Sequence, residues 1–297
     1  MCIRDSDGID YLITANEGDS RDWNGYSNEI EVNFGKGKTS PTGKITADNS
    51  GLTGKVTFFD TSDYDGLNNE NDYLFGGRSS TIFKADEQSL QEIYTTGNDF
   101  EVKTAAYLPN NFNCSNDDAT IDDRSGKKGP EAEAVTIGQI EDKTFAFIGL
   151  ERIGGIMVYD ITNPEKTEFV NYINSRDFST DIGGDDSPEG IHFIAGNDSI
   201  TGKPQLVVAY EVSGTVGVYD LTLQKNSDQS GDDKTDNPSQ EPTVEETNNS
   251  SNTNTNNKNH SVNTGDASNI AITIISLIST IVLITILMKK DKVLAED

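Results

Sequence analysis

An internal repeat limits most strongly how this chain can fold. Phe145 to Thr162 (FAFIGLERIGGIMVYDIT) aligns without a gap on Gln205 to Thr222 (QLVVAYEVSGTVGVYDLT), at an offset of 60 residues. Identities fall at Glu151/Glu211, Gly154/Gly214, Val158/Val218, Tyr159/Tyr219, Asp160/Asp220 and Thr162/Thr222. Each copy reads as an apolar strand, a short Gly-bearing turn and a second apolar strand ending in Tyr-Asp, which is a β-hairpin pattern. Weaker echoes are Tyr11 to Glu17 and Val56 to Asp60, and a Pro-Glu phrase precedes each hairpin at Pro130-Glu131 and Pro188-Glu189. A repeated unit of this size cannot bury both its faces alone and must stack on its neighbours. The expected fold is therefore all-β, a β-propeller of YVTN/WD40-like blades. A β-sandwich is the competing architecture, and the repeat argues against it. At roughly 50 residues per blade, residues 8–224 hold about four or five blades, so the ring is expected to be truncated at its N-terminal side. No long amphipathic helix is visible before residue 270.

The C-terminal end has a different character. Ile270 to Met288 (IAITIISLISTIVLITILM) carries no charge over nineteen residues, enough to cross a bilayer as one helix. Lys289, Lys290 and Lys292 follow, so the positive-inside rule puts residues 289–297 in the cytoplasm and everything earlier outside. Residues 225–269 include NNSSNTNTNNKNH, too polar to offset the entropy of folding, and read as a disordered stalk. Random-coil scaling gives it a reach of about 35 to 40 Å. Within it, Ser261-Val262-Asn263-Thr264-Gly265-Asp266 resembles the sorting signal of Gram-positive surface proteins, Leu-Pro-x-Thr-Gly. Thr264 and Gly265 match, while Ser261 and Val262 stand where that signal has Leu and Pro. A sortase acting after Thr264 would join the chain to the cell wall; otherwise Ile270 to Met288 is a permanent single-pass anchor. Residues 1–7 have neither a signal peptide's apolar stretch nor the start of a strand pattern, and read as a spurious or truncated start.

The formal net charge is -27. Such a balance repels phosphate backbones, which argues against nucleic acid as a partner, and favours divalent cations as counter-ions. Cys2 and Cys114 are the only cysteines, too few and too far apart for a disulfide framework or a zinc site. Among metals, calcium is the candidate, because it takes several oxygen ligands from an Asp-rich loop wrapped about a Gly turn. Asp60, Asp63, Asp65, Asn69 and Asp72 surround Gly66 in such a spacing. Thr61 at the first loop position, Asp72 where an EF-hand has Glu, and the lack of flanking helices are departures from that motif. Weaker acidic groups are Asn116-Asp117-Asp118 with Asp122-Asp123, and Asp181 with Asp185-Asp186.

Glu17, Glu151 and Glu211 each follow an apolar strand and are expected at equivalent places on successive blades. With Glu131, Glu133 and Glu189 they could ring one mouth of a central channel. Converging carboxylates bind cations or act as acid and base, since like charges push one pKa upward. Glu151, Glu211, Glu133 and Arg152 are thus the candidate catalytic set, and Arg78 and Arg152 the candidate grips for an anion. The alternative is that each Glu simply anchors its hairpin. His192 lies beside apolar residues and reads as a packed strand residue. No Gly-x-Ser-x-Gly elbow, P-loop or His-Glu-x-x-His is present.

Ala15 to Trp23 (ANEGDSRDW), Phe75 to Ser79, Lys127 to Val135 (KKGPEAEAV), Phe145 to Thr162 and Val212 to Leu221 together resemble the bacterial choice-of-anchor I family over Gly8 to about Leu223. The resemblance implies a propeller-like extracellular domain held by varying C-terminal anchors. Some members are labelled alkaline phosphatase, which implies a phosphoester hydrolase as an alternative activity. The leading expectation is a non-catalytic surface domain binding an extracellular protein, glycan or wall component. A calcium-dependent phosphoesterase using an acidic mouth is the alternative.

Overall fold

In the computed structural model the described residues are 2–4, 8–62, 64–67, 70–225, 270–272 and 275–276. They build three four-stranded antiparallel sheets that follow one another along the chain. The first comprises Cys2–Arg4, Asp10–Asn16, Ser79–Ala85 and Leu90–Thr95. The middle sheet comprises Ala132–Ile140, Lys143–Leu150, Ile156–Asp160 and Glu168–Ile173. The third comprises Pro188–Ile194, Gln205–Tyr210, Thr215–Asp220 and Ile275–Ser276. Within each sheet the strands lie side by side in chain order, and among the described residues no sheet closes on itself. Among the described residues the chain is mostly β, as expected, with only the short helices Ala47–Ser50 and Asp99–Tyr107 and a turn of 3-10 helix at Pro164–Lys166.

The sequence repeat is a structural one. Phe145 pairs with Asp160 in the middle sheet and Gln205 with Asp220 in the third, and the two hairpins keep that common register throughout. The Gly and Asp identities have local causes. Gly154 and Gly214 have φ of 81° and 64°, the left-handed conformation that a Cβ disfavours. Asp160 accepts from Thr162 N and Oγ1 and pairs with Lys143 at 2.6 Å. Asp220 accepts from Gln205 Nε2 and lies 3.6 Å from Lys203. Lys143 and Lys203 are themselves 60 residues apart, a further matching pair.

The middle sheet is buried on both faces, which explains the near-continuous apolar run Phe145 to Leu150. One face, with Ala146, Ile148, Leu150, Met157 and Tyr159, packs on Tyr11, Ile13 and Ile82 of the first sheet. The other, with Phe145, Phe147, Ile156 and Val158, packs on Leu206, Val208 and Tyr219 of the third. Phe147 and Phe193 stack across that second interface with centroids 6.1 Å apart. Gly138 makes room for them, since a Cβ there would lie 2.3 Å from the Phe193 ring. Full burial of side chains of this size stabilises by about 1.5–3 kcal/mol each.

Three sheets stand where four or five blades are expected, because two insertions consume chain. Residues 17–78 separate the second and third strands of the first sheet. They carry their own small core of Phe34, Val56 and Phe58 on the hairpin Glu29–Phe34/Gly54–Phe59. The echo at Val56 to Asp60 is therefore part of this insertion and not a copy of the repeat, whereas Tyr11 to Glu17 does occupy the repeat position. Residues 98–131 form the second insertion, containing helix Asp99–Tyr107, whose Asp99 accepts the Tyr159 hydroxyl at 2.6 Å.

The C-terminal run differs from expectation where it is described. Ile270–Ile272 and Ile275–Ser276 are extended and pair with Leu223–Lys225 and with Tyr219 and Asp220. Residues 277–288, the stalk at 226–269 and the sorting-like Thr264 and Gly265 lie outside the described residues. No helix among the described residues is long and apolar enough to cross a membrane.

Candidate functional site

Glu17, Glu151 and Glu211 do follow the second strands of the three sheets, at one end of the stack. The backbone sets the geometry there. Glu151 N donates to Glu131 O and Glu211 N to Ser187 O, each at 2.8 Å. Glu131 and Ser187 both adopt positive φ, 51° and 65°, just before the first strands of their sheets. Glu131 is thus the counterpart of Ser187, and Glu133 that of Glu189. The Pro-Glu phrases are offset from one another: Ala132 partners Leu150 where Pro188 partners Tyr210.

The carboxylates do not form an open ring. Glu131 is fully buried, with Lys128 Nζ 2.7 Å from Oε2, Arg152 Nε 3.0 Å from Oε1, and Arg124 in close contact. Lys128 also reaches Glu17 at 2.9 Å and Asp19 at 2.8 Å, tying the first sheet to the middle one. Asn116 Nδ2 donates to Glu151 Oε1 at 3.0 Å and to Ser187 Oγ at 3.2 Å, while its Oδ1 accepts from Arg152 at 2.7 Å. Arg152 Nη1 lies 3.2 Å from Glu151. Arg78 is committed to Glu101 and to the carbonyls of Ser125 and Lys127, so it offers no obvious anion grip.

Burial opposes ionisation of Glu131, but Lys128 and Arg152 outweigh it and hold the carboxyl down at about 2. Glu151 shows the opposite balance. Burial pushes its carboxyl up to about 9, and Glu131 and Glu133 reinforce the shift against the pull of Arg152. Slight burial together with Glu211 and Glu133 raises Glu189. Lys128 is held charged: burial disfavours its cation, and Asp19, Glu131 and Glu17 more than compensate.

A second buried pair went unread in the sequence. Arg176 and Asp186 are both fully buried, with Nε 3.2 Å from Oδ2. Arg176 also donates to the carbonyls of Ser115, Arg152, Asp118 and Asp181. The acidic stretches around residues 116–118 and 181–186 are therefore gathered about a guanidinium. Burial raises Asp186 to about 6 against the pull of Arg176. An isolated Arg gives no sequence signal for this role; only its convergence with loops distant in the chain reveals it.

In the loop after Gly54–Phe59, Asp60 Oδ1 accepts from Ser62 N at 2.9 Å. Asp72 accepts from Ser40 Oγ, Thr42 Oγ1 and Thr42 N, so it secures the turn at residues 40–42. Asp65 is exposed, and Asp63 and Asn69 lie outside the described residues. Among the described residues no group of three or more His, Cys, Asp or Glu is arranged to hold a metal ion. His192 is on a strand as expected, but exposed and not packed. Cys114 is buried, and burial pushes its thiol up to about 11.

The family model described as "Choice-of-anchor I domain" matches residues 2–164. Gigasin-3a of Magallana gigas is 29% identical over 168 residues, covering 50% of this chain and 57% of that protein. The mesenchyme-specific cell surface glycoprotein of Strongylocentrotus purpuratus is 24% identical over 106 residues, covering 32% of this chain and 14% of the other. The chain thus spans little more than half the length of one curated relative and a small part of the other. No solved structure matches it significantly.

Proposed function

This chain belongs to the choice-of-anchor I domain family, and on that footing we propose that it is the displayed domain of a cell-surface protein, binding an extracellular ligand without catalysis. The three stacked antiparallel meanders support a propeller-like reading, in which each sheet is a blade. The stalk composition, the apolar run Ile270 to Met288 and the lysines after it support attachment to a membrane, or to the cell wall if a sortase cleaves after Thr264. A relative named as a cell surface glycoprotein supports the same placement. The ligand classes in view are a protein, a glycan or a wall component.

The observation that carries the non-catalytic reading is the state of Glu131. Its carboxylate is buried and neutralised by Lys128, Arg124 and Arg152, so the centre of the acidic constellation is spent on joining sheets. Expression of the full chain behind a secretion leader, followed by protease treatment of intact cells, tests the display. Loss of the folded domain from intact cells supports it; complete protection until the membrane is broken overturns it.

One observation favours a second reading. A carboxyl that keeps its proton near neutral pH, Glu151, beside an ionised Glu131 is the pairing expected of an acid and a base. With Glu133, Glu211 and Arg152 it would form the site of a phosphoester hydrolase. Calcium belongs to this proposal at the Asp60 to Asp72 loop. Asp65 is exposed there, whereas Asp72 would first have to release Ser40 and Thr42.

A further inference from the structure

Trp23 is the only tryptophan of the chain and stands in the first insertion, on a short hairpin where Asp22 pairs with Ser27 and Trp23 with Tyr26. The Trp23 and Tyr26 rings stack with centroids 5.3 Å apart and 26° between their planes. Asn24 and Gly25 make the turn between them; both are exposed, and Gly25 has φ of 89°. A Cβ on Gly25 would meet no heavy atom within 4 Å, so the space beside the turn is open. Below the tip the hairpin is fixed. Asn28 N donates to Arg21 O at 3.0 Å, Asn28 Oδ1 accepts from Arg21 N at 2.8 Å, and Asn28 Nδ2 donates to the Tyr64 hydroxyl at 3.1 Å. A ladder of so few pairs opens at its end far more readily than the four-stranded sheets do.

An asparagine before a glycine can react with its own backbone, because no Cβ on the second residue hinders the approach. The Gly25 nitrogen attacks Asn24 Cγ. A bond forms between these atoms, the Cγ–Nδ2 bond breaks, and ammonia leaves with the proton of the Gly25 amide. The cyclic imide then takes up one water. Opening at the side-chain carbonyl gives aspartate; opening at the main-chain carbonyl gives isoaspartate, whose main chain runs through the former side chain. Among the described residues the asparagines followed by serine are held out of this chemistry. Asn49 Oδ1 accepts from Thr46 N and its Nδ2 donates to Lys44 O, each at 2.8 Å. Asn174 Oδ1 accepts from Arg176 N at 2.9 Å and its Nδ2 donates to the Tyr172 hydroxyl at 2.8 Å.

We propose that Asn24-Gly25 is a self-modifying site: it loses ammonia without an enzyme and leaves a carboxylate between Trp23 and Tyr26. The isoaspartate product also adds a carbon to the main chain of the turn. A tight hairpin turn sets the pairing of the strands it joins, so that extra atom separates the stacked rings. The selection of Asn24 over Asn49 and Asn174 follows from the hydrogen bonds of each amide. It depends on neither surface display nor any activity of the carboxylates at the end of the stack.

Incubation of the full chain in detergent at mildly alkaline pH, followed by peptide mapping with fragmentation that tells aspartate from isoaspartate, tests it. The expected result is conversion of Asn24 to both products ahead of Asn49 and Asn174, faster as the pH rises. Tryptophan emission should shift in step, since Trp23 is its only source. In Asn24→Gln the same attack would have to close a larger, slower-forming ring, so conversion and emission shift should both be lost. An Asn24 that stays intact overturns the proposal; if a peptide of residues 20–28 converts under the same conditions, the folded hairpin protects its turn. Conversion of Asn49 or Asn174 first overturns the selection, and constant emission while Asn24 converts overturns the effect on the aromatic pair.

Discussion

Glu131→Gln probes the ion-pair centre most sharply. The substitution keeps the shape of the side chain and removes the charge that Lys128, Arg124 and Arg152 share. Breaking a buried pair by removing one partner costs about 3–5 kcal/mol, because the remaining charges stay buried. Linkage gives a similar size: at about 1.36 kcal/mol per pH unit, holding this carboxyl at about 2 against 4.5 contributes about 3 kcal/mol. The folded value lies below the unfolded one. The contribution is therefore present above pH 4.5 and is lost as the pH falls through about 2. In a domain of this size each kcal/mol moves the melting temperature by about 2–4 °C, so Glu131→Gln should melt roughly 6–12 °C lower at pH 7. Differential scanning calorimetry with urea titration reads both quantities. Glu151→Gln is the paired control of opposite sign: above about pH 4.5 the unfolded chain ionises Glu151 while the folded chain keeps it protonated, so the substitution should raise stability at pH 7 by up to about 3 kcal/mol. Equal melting of Glu131→Gln and the unmodified chain, or an equal loss in both variants, would refute the reasoning.

Three further outcomes follow from the same contacts. Because Glu151 is raised in the folded state, its contribution is complete below about 4.5 and is lost as the pH rises through about 9; urea midpoints should decline across that window, and more gently in Glu151→Gln. Gly138→Ala drives a methyl into the Phe193 ring and should destabilise by about 1–3 kcal/mol, measured by urea unfolding, whereas adding Phe193→Leu should recover part of the loss. If the Asp60 to Asp72 loop binds calcium, the full chain should melt higher in millimolar calcium than in chelator, and Asp65→Asn should shrink the difference; identical melting in both would remove the metal from the proposal.

The all-β class and the hairpin repeat were legible because they rest on local pattern. Tyr159/Tyr219 and Asp160/Asp220 mark strand ends, and the register they imply is the observed one. The equivalence of Glu17, Glu151 and Glu211 was legible for the same reason. What these carboxylates do was not, since it depends on cations from a distant insertion. Lys128 and Arg124 sit between helix Asp99–Tyr107 and the middle sheet, where charge pattern alone reads as a solvated turn. Arg176 is the extreme case, with partners 61 and 58 residues away in the chain at Ser115 and Asp118. The blade count erred because periodicity cannot tell an inserted hairpin from a repeated one: Val56 to Phe59 reads like a blade strand yet pairs with Glu29–Phe34, while Thr57 N donates to Gly126 O of the second insertion.

Under the proposed function the acidic end of the stack joins sheets and does not perform catalysis. Its most direct test is turnover of phosphomonoesters and phosphodiesters by the purified full chain, with and without calcium, alongside Glu151→Gln. No turnover above the uncatalysed rate is expected in any condition. Calcium-dependent hydrolysis abolished by Glu151→Gln would contradict it and install Glu151 as the acid of an active site.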